Sequence, residues 1–148
     1  MRNFIILFGL VLFISGCANV PQYQENSDWS HSEVAHLHFY RTKRMFHALN
    51  PEKPFFFVDD KMAGSLGTGE TFTVRVLPGT HTLSVREPFM FSPGYESGRF
   101  EIEVEASKHY YIRYSMDASG VYAYGSTAGV YGTAKFGTAD KESFDNRE

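Results

Sequence analysis

From Val34 onward, apolar and polar residues alternate with a period of two, the spacing of side chains on a half-buried β-strand. The cleanest run sets Phe100, Ile102 and Val104 against Glu101, Glu103 and Glu105. Between Val34 and Arg41 the residues Ala35, Leu37 and Phe39 share one face. Phe72, Val74 and Val76 do so between Thr71 and Val76, and His81, Leu83 and Val85 between Thr80 and Arg86. Tyr110, Ile112 and Tyr114 then oppose Tyr111, Arg113 and Ser115. A helix would scatter each of these sets around its circumference, so the pattern admits strands only. Turn formers separate the runs: Asp59-Asp60-Lys61 with Gly64, Leu77-Pro78-Gly79, Ser92-Pro93-Gly94 and Ala106-Ser107-Lys108. Short strands with one apolar face predict an all-β fold, an antiparallel β-sandwich of about seven to eight strands, Ig-like or prealbumin-like. No helix is expected in the folded part.

Such a sandwich has to stand on packing alone, because the chain contains one cysteine and so no internal disulfide. The 14 Phe, 9 Tyr and 1 Trp supply the apolar area this requires. The stretch Asp117 to Asp140, DASGVYAYGSTAGVYGTAKFGTAD, is dense in small residues and tyrosine, and its alternation through Val121 to Tyr124 reads as a closing hairpin. The tail 141–148 is charged and expected to fray.

The beginning of the chain obeys other rules. Met1-Arg2-Asn3 precedes an apolar run from Phe4 to Ile14, about half of the roughly 20 residues a membrane-spanning helix needs. The layout is that of a secretory signal. Its last residues, Ile14-Ser15-Gly16-Cys17, resemble the lipobox of bacterial lipoproteins. That resemblance implies a signal peptide over 1–16, cut before Cys17, with diacylglycerol on the Cys17 thiol. Ala18 stands where an Asp typically retains enterobacterial lipoproteins at the inner membrane, so the resemblance implies the outer membrane, periplasmic face. Residues 17–32 then read as the lipidated cysteine and a flexible tether, and 33–140 as the sandwich. The expected associations are the membrane through the lipid and an envelope protein partner. No cofactor beyond the covalent lipid is expected. The net charge of −3, without any basic tract, argues against nucleic acid.

Four further segments fit one pattern in order: Val34 to Arg41, Phe57-Val58-Asp59-Asp60-Lys61 with Gly64, Leu77-Pro78-Gly79-Thr80-His81, and Glu105-Ala106-Ser107-Lys108 with Tyr110-Tyr111. Together they resemble the small bacterial lipoproteins grouped as domain of unknown function 2846. The pattern of that family runs from a strand ending Tyr-Arg through a V-D-G-K-x-x-G hairpin and a P-P-G-x-H turn to E-x-x-x-G-K-x-Y-Y. Asp60 and Ser107 each stand where the family has glycine. The resemblance implies a β-sandwich and brings no activity with it.

Candidate chemistry is sparse. His36 and His38, two apart on one strand, point the same way and are candidate metal ligands, with His31 and His47 as further donors; a closed zinc site needs about four. The plainer reading is a pair of solvent-facing histidines. His81 reads as a structural anchor that ties its turn to a neighbouring backbone, rather than as a general base. Glu101, Glu103 and Glu105 make an acidic row whose i, i+2 spacing suits paired carboxylates of a small hydrolase, but it equally suits a solvated strand face with partners such as Arg113 or Arg86. Phe55-Phe56-Phe57 and Phe89-Met90-Phe91 are apolar clusters beside expected loops. Phe56, Phe89 and Phe91 are therefore the candidate interaction residues. No phosphate loop, C-x-x-C, H-E-x-x-H or G-x-S-x-G is present. The expected role is a lipid-anchored, non-catalytic interaction module, with an envelope metal-binding protein or small hydrolase as the alternative.

Overall fold

The computed structural model describes residues 19–43, 53–90, 92–125 and 127–147. Among these, the alternating runs become eight strands: β1 (Ala35–Arg41), β2 (Phe55–Val58), β3 (Lys61–Ser65), β4 (Thr71–Val76), β5 (Gly79–Phe89), β6 (Ser92–Val104), β7 (His109–Tyr124) and β8 (Thr127–Ala139). They form two four-stranded sheets, ordered β4-β1-β7-β8 and β3-β2-β5-β6. Neighbours are antiparallel except β1 and β7, which run parallel with Leu37 opposite Tyr110. This is the all-β sandwich that the alternation requires.

The inward faces match the period-two reading. Leu37, Phe39, Val74, Val76, Ile112 and Tyr114 of one sheet close on Phe56, Val58, Leu83, Val85, Ile102 and Val104 of the other, all at most 8% exposed. Phe56 is the hub. Its ring lies 5.6 to 5.9 Å from those of Phe39, Phe72, Tyr114 and Phe136. Phe57 points the other way and is covered by the Arg86 guanidinium, 4.6 Å above its ring. The expectation of Phe56 as an interaction residue therefore fails, because the side chain is fully buried and offers nothing to a partner.

The two departures from the family pattern sit in left-handed backbone. Asp59 (φ 50°) and Asp60 (φ 60°) form the two-residue loop between β2 and β3, with the positive angles at both positions that such tight hairpins favour. Ser107 (φ 62°) takes up the same backbone region in the longer connection between β6 and β7. A side chain there costs about 1–2 kcal/mol, against roughly 0.5–1 kcal/mol for the extra freedom of glycine in the unfolded chain. Ser107 recovers part through its hydroxyl, which donates to the Ser32 carbonyl at 3.2 Å. Ser107→Gly is expected to raise stability by about 0.5 kcal/mol, read as a higher urea midpoint at unchanged slope.

Three other segments differ from expectation. Ser92-Pro93-Gly94 is not a turn: the β5–β6 hairpin continues through Pro88 opposite Pro93 to Phe89 opposite Ser92. Register shifts around Arg86 absorb the prolines, which cannot donate to a regular ladder. Gly94 is needed there, because a Cβ would come within 2.9 Å of the Glu87 carbonyl and the Phe89 Cβ. The described part of the tether is docked rather than free. The Tyr23 N–H donates to the Met62 carbonyl of β3 and the Met62 N–H to the Pro21 carbonyl, and Glu25 accepts from both the Arg75 backbone N–H (2.7 Å) and its Nε (2.8 Å). The tyrosine hydroxyl donates to the Arg75 carbonyl at 2.9 Å, and its pKa is pushed up to about 12, first by burial and then by Glu25 and Asp59. Finally, the tail folds into a short helix, α1 (Lys141–Asp145). Asp140 caps it by accepting from Ser143 N–H, and Phe144 drops edge-on against Tyr40, which it helps to bury.

Candidate functional site

The strand directions give the sandwich two unlike ends. At one lie the Asp59–Asp60 turn, the start of β1 and the start of β5. The parallel bridge of Gln22 to Met62 makes the chain before Gln22 run toward this end. At the other, β5 and β6 reach their tip, and β7 continues well past Tyr114, which lies opposite Arg41 at the end of β1. The expected closing hairpin of the Gly- and Tyr-rich segment is this β7–β8 pair, with Val121 opposite Val130.

The β5–β6 tip is apolar and open. Phe89 is 67% exposed, Met90 81% and Tyr95 72%. Met90 also has φ 47°, a left-handed conformation that disfavours a long side chain. Of the interaction residues expected from sequence, Phe89 stays on the surface, Phe56 is core, and Phe91 lies outside the described residues. Below the tip, Glu87 reaches between the sheets. Its carboxylate accepts from the Ser97 hydroxyl (2.5 Å) and the Tyr114 hydroxyl (2.9 Å), tying β5 to β6 and to β7 across the core. Burial, and then the Glu87 charge, push the Tyr114 hydroxyl far above its ordinary value, so it stays a donor.

On the outer face of the β4-β1-β7 sheet the histidines assemble into a column. His36 and His38 do point the same way, and the parallel β1–β7 register places His109 opposite His36. His109 stacks on His36 (4.8 Å between centroids) and on His38 (5.1 Å); His31, from the docked segment, stacks on His36 at 5.4 Å. His38 Nε2 and His109 Nδ1 share a hydrogen bond of 2.8 Å, and His38 Nδ1 bonds the Thr73 hydroxyl at 2.8 Å. Tyr111 and Phe144 pack against the far side of His38. Desolvation, then the neighbouring His109, hold both His36 and His38 below the ordinary imidazole value. The imidazole rings lie 9–17° from parallel and stack face to face instead of turning their nitrogens to one point. Among the described residues no group of three or more His, Cys, Asp or Glu is arranged to hold a metal ion. His47 lies outside the described residues.

The acidic row is placed elsewhere. Glu101 and Glu103 are exposed on the outward face of the opposite sheet, across the sandwich from the histidines, and Glu105 lies past the end of β6 in the connection to β7. Their neighbours are not Arg113 or Arg86: Glu101 and Glu103 face Thr82 and Thr80, and Glu105 pairs with Lys108 at 2.9 Å. His81 is an anchor, as expected. Its Nε2 lies 2.8 Å from the Leu77 carbonyl and its Nδ1 2.7 Å from the Asp59 carboxylate, whose other oxygen takes the Thr82 N–H. An open cleft of about 390 Å³ beside α1 is lined by both signs of charge, Lys43, Arg113 and Arg147 with Asp140 and Glu142.

A family model described as "Protein of unknown function (DUF2846)" matches residues 18–129, well over half of the chain. The chain belongs to this family. The match spans the histidine column and the β5–β6 tip, while α1 lies beyond it. No curated protein and no solved structure matches the chain.

Sequence reasoning missed His109, because its place in the column depends on a parallel pairing between distant strands. It also missed Phe144, although Asp140 three residues before Ser143 is a recognisable helix start.

Proposed function

We propose that this DUF2846 protein is a lipid-anchored cell-envelope lipoprotein whose sandwich is a non-catalytic interaction module. The anchor is Cys17, acylated after removal of 1–16, with the outer membrane, periplasmic face, as its address. The module engages an envelope protein through the β5–β6 tip. The observation that carries the second half is Met90. It breaks two local rules at once, a left-handed backbone at a non-glycine and a long apolar side chain left 81% exposed. A turn that only reversed the chain would be more stable with glycine or asparagine there. Strain held at an exposed apolar group points to use. Phe89 and Tyr95 widen the patch. The tip lies at the end of the sandwich away from where the N-terminal segment enters, which keeps it clear of a bilayer holding Cys17.

Photo-crosslinking from position 95 in intact cells tests this reading, with position 103 on the acidic face as control. Position 95 is expected to give a discrete protein adduct that position 103 does not. Equal labelling from both positions, or none from either, would remove the tip as the contact.

A further inference from the structure

We infer that the histidine column is a pH-sensitive latch, holding the segment Asn26–Glu33 against the outer face of β1 and β4 when its rings are neutral and releasing it when they charge. His31 is the segment's contribution: its ring lies over His36, with Nδ1 3.5 Å from His36 Nε2. His36 in turn lies 4.8 Å from His109, and His109 shares its hydrogen bond with His38. The His31–His36 nitrogen contact and the His38–His109 hydrogen bond each need one ring nitrogen that can still accept. Protonation turns each stacked contact of about 5 Å into a pair of like charges.

The groups facing the column do not neutralise it evenly. From β4, the Arg75 guanidinium adds a positive charge beside His36, and Thr73 offers a hydroxyl only. From the docked segment, Glu25 opposes that effect, but its carboxylate is already held by Arg75 at 2.8 Å. Glu33 is occupied by Ser30, accepting from its N–H at 3.0 Å and its hydroxyl at 2.6 Å. From β7, Tyr111 is uncharged, and the neighbouring Lys108 is paired with Glu105. From α1, Phe144 is apolar and Lys141 is paired with Asp145. Burial first, and His109 next, lower the values of both His36 and His38. Release of the segment takes His31 and its share of the cover away from His36, which moves the His36 value back toward the ordinary 6.5, so the latched form binds fewer protons than the released one. The latch is therefore fully engaged above that value and weakens as pH falls from it through the depressed values.

Trp29 reports the event directly, because it is the only tryptophan and lies in the segment, its carbonyl bonded to Arg75 at 3.3 Å. Acrylamide quenching of Trp29 in the intact chain, purified in detergent, is expected to rise severalfold between about pH 7.5 and pH 5, the range over which imidazoles titrate. Far-UV circular dichroism should stay constant across that range. His36→Gln and His109→Gln should flatten the transition, and His31→Gln should shift it. Quenching that stays constant in the unmodified chain overturns the latch, as does an identical transition in both the His36→Gln and His109→Gln variants. The wild-type titration decides the matter even if a variant fails to fold.

Discussion

Phe56→Ala is expected to cost about 3–5 kcal/mol, the range for truncating a fully buried phenylalanine. The residue is 0% exposed and reaches from β2 into a ring cluster that takes one member from each strand of the facing sheet, Phe72 of β4, Phe39 of β1, Tyr114 of β7 and Phe136 of β8. Removing it opens a cavity between sheets that are joined across this layer mainly by packing and by the Tyr114–Glu87 hydrogen bond. Because whole domains of this size are stable by only about 5–15 kcal/mol, the loss would be a large share of the total. Equilibrium urea unfolding of the chain from residue 19 onward measures it. Glu103→Ala, on the exposed face, serves as the comparison and should stay within about ±0.5 kcal/mol. A small loss at Phe56 beside a large one at Glu103 would mean that the two faces of the sheet are assigned in reverse.

The strands on which that prediction rests are legible in the alternation of the sequence itself. Period two assigned Leu37, Phe39, Val74, Val76, Leu83, Val85, Ile102, Val104 and Ile112 to the inward face, and all are buried. Alternation is a local signal, and each of these assignments needed only a residue's neighbours. What it could not supply was partnership. His109 meets His36 because β7 runs parallel to β1, a pairing between residues far apart in sequence that no local pattern encodes. The same limit hid the covering of Tyr40 by Phe144 and the docking of Tyr23 on β3. Pro93 misled for a different reason. Proline and glycine usually end a strand, but on the β5–β6 edge, beside register shifts, they are carried inside one.

The second large effect concerns placement. Cys17→Ala should move the protein from the membrane fraction to an uncleaved or soluble form and abolish incorporation of labelled fatty acid. Each buried methylene contributes about 0.8 kcal/mol, so two or more acyl chains hold a protein that one chain would hold only marginally. With the docked segment beginning near Pro21, only a few residues separate Cys17 from the folded domain. The anchor would therefore set the domain close to the bilayer, its tip directed away. A Cys17→Ala protein that still fractionated as a processed membrane protein would contradict the lipobox reading, and the orientation argument would go with it.

The most direct test of a recognition tip compares crosslinking from position 95 in the unmodified chain and in a Phe89→Ser, Met90→Gly double variant. Glycine relieves the left-handed strain at position 90, roughly 1–2 kcal/mol for a residue with a side chain, and serine removes an exposed ring. The variant should therefore be at least as stable to urea as the parent while its adduct disappears. An adduct of unchanged yield in a fully folded variant would contradict the account, because the tip would then be a turn and nothing more.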